Sequence, residues 1–303
     1  MSFVNYRNGN YVVYFNTETG DKIRNTNDDE FKPAFAENCD VTITMKCDGG
    51  CPFCYAGCTA NGKHGNLNAK CLDTLHPYTE LAINGNDLSH PDLIPFLKRM
   101  RDRKVIVNMT VNQKHFEQRY GFIQDLQFFG LIHGIGVSLN KATDEFIEKV
   151  KNSKNTIIHV INGILSAEDA EALMGNDLDI LILGYKTTGR GHDFLMRDDN
   201  GIYEKQAWLW TNMQRMFDGF RTVEFDNLAL DQLAIKDMVS EEVWNKHYMG
   251  RDGGFTYFLN LVDGYFAKNS TSPIHYPLMN SVDEMFQFLQ EVADVEEDGP
   301  YVY

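Results

Sequence analysis

The chain has 303 residues with 28 Lys+Arg against 43 Asp+Glu, a formal net charge of −15, and 43% hydrophobic residues. That length and apolar fraction exclude a mostly disordered chain and give enough sequence for one large domain or two small ones. The acidic balance excludes duplex nucleic acid as a main partner, because such binding rests on Lys and Arg neutralising phosphates. The opening MSFVNYRNGNYVVYF has no basic flank before an apolar run, and Ile180–Leu183 is far short of a bilayer span. A cytoplasmic protein with no membrane partner is the expectation.

In chain order, Tyr11–Phe15 and Lys22–Arg24 flank a Thr19-Gly20-Asp21 turn and read as a short N-terminal β-hairpin, residues 1–35 forming an appendage. A strand–helix rhythm starts near residue 40. Strands are expected at Val41–Met45, Glu80–Ile83, Val105–Met109, Ile132–Leu139, Thr156–Ile161 and Leu178–Leu183. Helices are expected at Asn66–Leu75, after Ser89-His90-Pro91-Asp92, over His115–Phe129, after Thr143, after the capping box at Ser166, and over Tyr203–Phe217. Such repetition predicts an α/β fold with a parallel sheet and right-handed crossovers over residues 36–220. Periodicity alone leaves an open sheet and a partial barrel both standing. No G-x-G-x-x-G follows the first strand and no phosphate-binding P-loop string occurs. Residues 221–303 read as an α+β extension: a further strand at Thr222–Phe225, a hairpin turning at Val262-Asp263-Gly264, a helix near Val282–Val292 and an acidic tail.

The six cysteines are Cys39, Cys47, Cys51, Cys54, Cys58 and Cys71, all in the first quarter of the chain. Their crowding points to metal or cluster ligation rather than a disulfide framework. Cys47, Cys51 and Cys54 stand as C-x3-C-x2-C. Three thiolates at that spacing suit a corner of an iron–sulfur cube, and the glycines between them let the backbone turn around it. A structural zinc site completed by Cys58 or His64 is the alternative, in a non-catalytic interaction protein. Cys39 and Cys71 read as buried small hydrophobes, and Cys58 as a thiol lining the loop. His133 and His159 lie in apolar strands and read as core residues.

The string Cys47-Asp48-Gly49-Gly50-Cys51-Pro52-Phe53-Cys54 resembles the C-x3-C-x-aromatic-C signature of the radical S-adenosylmethionine (radical SAM) superfamily, with Phe53 at the aromatic position. Asn84-Gly85-Asn86 followed by His90-Pro91-Asp92-Leu93 is similar to the family's Gly-Gly-Glu-Pro segment and the helix start after it, with Asn84 and Asn86 replacing Gly and Glu. Thr110-Val111-Asn112 is similar to its Thr-Asn-Gly. The resemblance covers residues 38–220 and implies a partial (β/α)6 TIM-type barrel. It implies a [4Fe-4S] cluster on Cys47, Cys51 and Cys54, oxygen-sensitive, with one iron open to S-adenosylmethionine.

It further implies reductive cleavage of S-adenosylmethionine to a 5′-deoxyadenosyl radical that abstracts hydrogen from a peptide, a protein or a small metabolite. An electron donor such as flavodoxin or ferredoxin goes with that chemistry. The implied cofactor-binding residues are Phe53, Tyr55, Asn84, Gly85, Asn86, Thr110, Asn112, Ser138, Asn140 and Asn162. Polar residues at the C-terminal ends of parallel strands are also where such barrels carry chemistry. Cys58, Tyr185 and Lys186 are candidate catalytic residues. Lys63, His64, Lys186, Arg190 and His192 are candidate substrate contacts, on loops that otherwise read as solvated. A nucleotide or tRNA modifier using the same chemistry is the second reading. The Asp263-Gly264 hairpin looks like the one opening the auxiliary-cluster extension of peptide-modifying members, without its cysteines, and inclines the substrate toward a peptide.

Overall fold

The computed structural model describes residues 3–84, 87–197 and 199–296. The chain begins with an antiparallel sheet of β1 (Phe3–Asn8), β2 (Tyr11–Asn16) and β3 (Lys22–Asn25), in that order. The expected hairpin is β2–β3, and β1 adds a strand to it. Along β2 every second side chain, Tyr11, Val13 and Phe15, is buried, as a half-buried strand requires. These three pack with Tyr78, Ile106 and Phe255 at the N-terminal ends of the strands that follow.

Seven strands then run parallel as neighbours in chain order: β4 (Asn38–Thr42), β5 (Glu80–Asn84), β6 (Ile106–Asn112), β7 (Gly134–Ser138), β8 (Thr156–Ile161), β9 (Asp179–Leu183) and β10 (Thr222–Phe225). β11 (Thr256–Asn260) pairs parallel with the other side of β4, and β12 (Tyr265–Ala267) and β13 (Tyr276–Pro277) follow antiparallel. The ten-stranded order β10-β9-β8-β7-β6-β5-β4-β11-β12-β13 does not close on itself among the described residues, as in a partial barrel.

Connecting the strands are α1 (Leu93–Asp102), α2 (Gln113–Gln118), α3 (Tyr120–Phe128), α4 (Asp144–Lys151), α5 (Ala167–Leu173), α6 (Arg190–Leu195), α7 (Ile202–Thr211) and α8 (Met213–Gly219). After β10 come α9 (Asn227–Gln232), α10 (Ile235–Met238) and α11 (Glu241–His247), and α12 (Val282–Glu296) follows β13. The expected helix over Asn66–Leu75 is a short 3-10 turn at Lys70–Thr74. Pro77 lies just beyond and disfavours helical geometry at His76. The expected helix His115–Phe129 starts earlier, where Asn112 caps α2, and breaks at Arg119 (φ −118°, ψ 22°). Thr143 and Ser166 cap α4 and α5 through side-chain oxygens, as expected.

The strands alternate. Leu81, Ile83, Val107, Met109, Val111, Ile158, Val160, Ile180 and Ile182 are buried in one core with Phe96, Leu97, Phe116, Phe146 and Leu209 of the helices. The opposite residues of β5, β6, β8 and β9, among them Asn84, Thr110, Asn112 and His159, are only half-buried and face the barrel interior. His159 is therefore an interior-facing residue, whereas His133 contacts the N-terminal sheet through the carbonyl of Thr17 at 3.1 Å.

The N-terminal sheet seals the lower end of this interior. Lys22 reaches Glu80 of β5 at 2.6 Å, with the two side chains 3% and 15% exposed. Arg24 pairs with Glu37 at 2.9 Å, and Tyr11 donates to Glu37 at 2.6 Å. The C-terminal ends of the strands are left for the loops.

Candidate functional site

β4 leaves the parallel sheet at Thr42, three residues before the end read from the sequence. The chain beyond it pairs instead with the far limb of the cysteine loop. Thr44 bridges to His64 and Lys46 to Thr59. The amide of Met45 donates to the Lys63 carbonyl at 2.9 Å, and that of Cys47 to the Thr59 carbonyl at 2.8 Å. Gly62 lies so close to this limb that a Cβ would come within 2.0 Å of the Met45 carbonyl oxygen. The segment 55–65 is thus a paired limb of the cysteine loop, not a free connection.

Within it, Cys47 and Cys51 flank Gly49, whose added Cβ would meet their sulfurs at 3.3 and 3.7 Å. Gly50 adopts φ 66° with open space beside its Cα. Cys51 is pushed up by burial and then by the neighbouring sulfurs of Cys54 and Cys47, and Cys47 is pushed up by burial. Cys54 is pulled down, chiefly by the hydrogen bond it shares with the Cys58 thiol and in smaller part by the charge of Arg190. Cys58 is pushed up by the same bond. The three motif cysteines are half-buried, and Cys39, Cys58 and Cys71 are buried. Among the described residues no three His, Cys, Asp or Glu side chains converge on one ion. Three soft thiol donors on one glycine-bent loop are the donor set that suits an iron–sulfur cluster.

Asp48 anchors the start of the loop. Its carboxylate holds His115 of α2 in a short hydrogen bond and pairs with Lys114 at 3.2 Å. These contacts hold Asp48 below the usual carboxylate range. Neither partner carries a signal in the sequence, because both lie on a helix 66 or 67 residues away.

The other expected residues divide clearly. Asn112 ends β6 with its amide 3.8 Å from the Cys51 sulfur, and it exchanges two 2.8 Å hydrogen bonds with Asn140. Thr110 and Ser138 face the interior from β6 and β7. Asn84 accepts from Thr42 at 3.1 Å; Gly85 and Asn86 lie outside the described residues. Phe53 packs edge-on to Phe194 of α6 at 5.9 Å. Tyr55 lies under the Lys186 ammonium, 4.5 Å from its ring centroid. Asn162 is 2% exposed, donates to Gln232 of α9 at 3.1 Å and leaves its buried Oδ1 unpaired.

Of the candidate catalytic side chains, Tyr185 is buried and donates to the Gly191 carbonyl at 2.7 Å, and Cys58 sits 4.0 Å from the Met45 sulfur. Lys186 stands in the cleft, bonded to Ser270 at 3.3 Å and 3.9 Å from Asp226. Burial pulls its ammonium down, but Tyr55, Asp226, Asp40 and Asp252 outweigh this and leave it raised. Asp40, inside β4, is pushed up to about 6 by its enclosure against the pull of Lys186. Asp40 keeps accessible area although protein surrounds it, as does a side chain lining an open cleft. Asp40, Asp226, Asp252 and Ser270 carry no local motif; their grouping arises only where β4, β9, β10 and the segment around β11 and β12 meet.

Lys63 is exposed, and His64 bonds Thr44 at 2.9 Å with its ring 4.8 Å from that of His90. His192 is exposed beside Asp193. Arg190 is turned onto the cysteine loop itself.

No helix among the described residues is long and apolar enough to cross a membrane. The sequence matches no family model and no curated protein. Among solved structures it is similar to Streptococcus suis SuiB bound to S-adenosylmethionine, at TM-score 0.58 and 11% identity over 98% of this chain and 87% of that one. It is also similar to SuiB bound to the precursor peptide SuiA, at TM-score 0.56 and 13% identity over 84% of this chain. That match spans 65% of the peptide-bound SuiB chain, just under two thirds. At these identities the likeness is one of architecture: the chain has the partial-barrel fold of SuiB.

Proposed function

We propose that the protein is a radical SAM enzyme that binds one [4Fe-4S] cluster through Cys47, Cys51 and Cys54 and acts on a peptide or a polar small molecule. The observation that carries this reading is the gathering of the three thiols on one loop at the C-terminal mouth of the barrel, with Asn112 against Cys51. When bound, the cluster supplies one electron for reductive cleavage of S-adenosylmethionine. The chain's own groups bind, orient and enclose. Asn112, Asn140, Ser138 and Thr110 offer hydrogen bonds from the strand ends beside the loop. Phe53 and Phe194 wall the loop with apolar surface. Lys186, with the carboxylates of Asp40 and Asp226, gives the interior a polar lining suited to a charged or hydrogen-bonding substrate. SuiB, which shares the fold, was crystallised with S-adenosylmethionine and with a precursor peptide, which supports a peptide for this chain too.

The test is anaerobic reconstitution with iron and sulfide. The protein is expected to gain absorbance near about 400 nm, as thiolate-bound clusters do, and to release 5′-deoxyadenosine from S-adenosylmethionine with dithionite. Ala at position 47, 51 or 54 abolishes both while leaving the circular dichroism spectrum unchanged. Stoichiometric zinc with no iron uptake overturns the reading.

A further inference from the structure

Arg190 is the first residue of α6, where the loop leaving β9 turns back along the cysteine loop. Its backbone amide donates to the Cys54 carbonyl at 3.0 Å. Its Nε donates to the Cys51 carbonyl at 3.1 Å and its Nη1 to the Cys58 carbonyl at 2.9 Å. One residue thus holds three carbonyls across the stretch that carries two of the three motif cysteines. A guanidinium suits this task because its donors are fixed in a planar fork.

The neighbours are shaped for the same contact. Thr188 donates its hydroxyl to the Tyr55 carbonyl at 3.2 Å. Gly189 has φ 54°, and a Cβ there would lie 2.3 Å from the Tyr55 carbonyl oxygen. A Cβ at Gly191 would lie 2.2 Å from the Lys186 carbonyl oxygen. The base of the clasp is braced in turn. Tyr185 binds the Gly191 carbonyl, and Gln232 of α9 brackets Tyr185 through its amide and its carbonyl at 2.9 Å each. Its Nε and Nη1 are turned to these carbonyls, so Arg190, expected as a substrate contact, spends these donors on the cysteine loop.

We propose that Arg190 is a positioning residue of the iron–sulfur centre: it holds the Cys51–Cys58 stretch in its ligating arrangement and sets a fixed positive charge beside the anionic cluster. This rests on the cluster assignment above. Two separable consequences follow. Losing the carbonyl bonds loosens the loop, so the cluster is lost faster. Losing the charge makes addition of an electron to the cluster harder, so its reduction potential falls.

The experiment compares the full-length protein with R190Q and R190K. Three readouts apply: alkylation of the apo-protein thiols by iodoacetamide, cluster loss to a chelator, and the midpoint potential from a dithionite titration followed by electron paramagnetic resonance. R190Q is expected to show several-fold faster alkylation of Cys51 and Cys54, several-fold faster cluster loss and a lower potential. R190K keeps the charge without the fork, so it is expected to retain a near wild-type potential while still losing cluster faster. R190K decides the matter if R190Q does not fold. Wild-type alkylation, retention and potential in the folded variants overturn the proposal. Failure of the wild-type chain itself to take up iron overturns the cluster assignment, whereas iron uptake by the wild type with equal alkylation, retention and potential in all three proteins overturns only the role of Arg190.

Discussion

His159 lies on the interior face of β8 with its ring over Gly136, where a Cβ would come within 2.3 Å of the imidazole. Burial, and then the charge of Lys186, pull it down to about 4 from an ordinary value of 6.5. The folded protein therefore resists the proton that the unfolded chain accepts. Stability from this group is complete above pH about 6.5 and falls as the pH drops toward about 4, by about 1–3 kcal/mol. Asp40, raised to about 6, contributes the opposite slope over this range. The assignment is therefore read from the difference: the urea stability of the wild type minus that of H159Q is expected to fall between pH 7 and 4, and parallel curves refute it. The same scale shows what a residue's own neighbourhood reveals. Cys47, Cys51 and Cys54 are legible as the proposed ligand set because all three lie on one short loop at C-x3-C-x2-C spacing. The role of Arg190 is not, because the carbonyl it holds at Cys51 is 139 residues away.

Gly189 shows how elements are joined at the site. It caps α6 at φ 54° and ψ −133°, and its bare Cα is what lets that helix begin against the backbone of Tyr55 and Cys54. G189A adds both left-handed strain and a backbone clash, together about 2 kcal/mol or more. A lowered melting temperature and a reduced iron content after reconstitution are the expected outcomes, and wild-type values for both would count against the packing described. The strands β5, β8 and β9 are readable from sequence to within a residue, because short apolar runs bounded by polar residues, continuous in β9, suit strands buried in a parallel sheet. β4 is less so. The apolar alternation continues through Ile43 and Met45, but their backbone groups bond to the returning limb of the loop instead of the sheet. The breaks at Arg119 and Asn212, which divide two expected helices into α2–α3 and α7–α8, likewise follow how each segment packs on the barrel.

Across the whole molecule, the two ends of the barrel have different tasks. The N-terminal sheet closes the lower end with side chains whose charges are almost fully withdrawn from water: Arg24 and Glu37 are 10% and 1% exposed. Arg24 also lies 3.6 Å from the Phe255 ring centroid, just before β11. R24M leaves Glu37 buried without its cation and is expected to cost about 3–5 kcal/mol in urea unfolding. R24M/E37M removes both charges and is expected to recover a good part of that loss, leaving Tyr11 without its acceptor. If the single and double variants are equally destabilised, the ion pair is not what fastens this sheet. The upper end bears the cysteine loop, the strand-end polar residues and Lys186. Side chains bridge the opening beyond β10, where Asn227 of α9 and Asn269 after β12 both donate to Asp252 at 2.7 and 2.9 Å.

By itself the sequence determined the parallel α/β architecture and placed three thiols on one loop, since hydrophobic periodicity and the spacing of cysteines are local properties of a chain. Only the tertiary structure decided that Asp48 is held by α2, that Arg190 clasps the cysteine loop, and that Asp40, Lys186 and Asp226 meet inside the barrel. Those contacts join residues far apart along the chain, and the curvature and pairing order of the sheet bring them together.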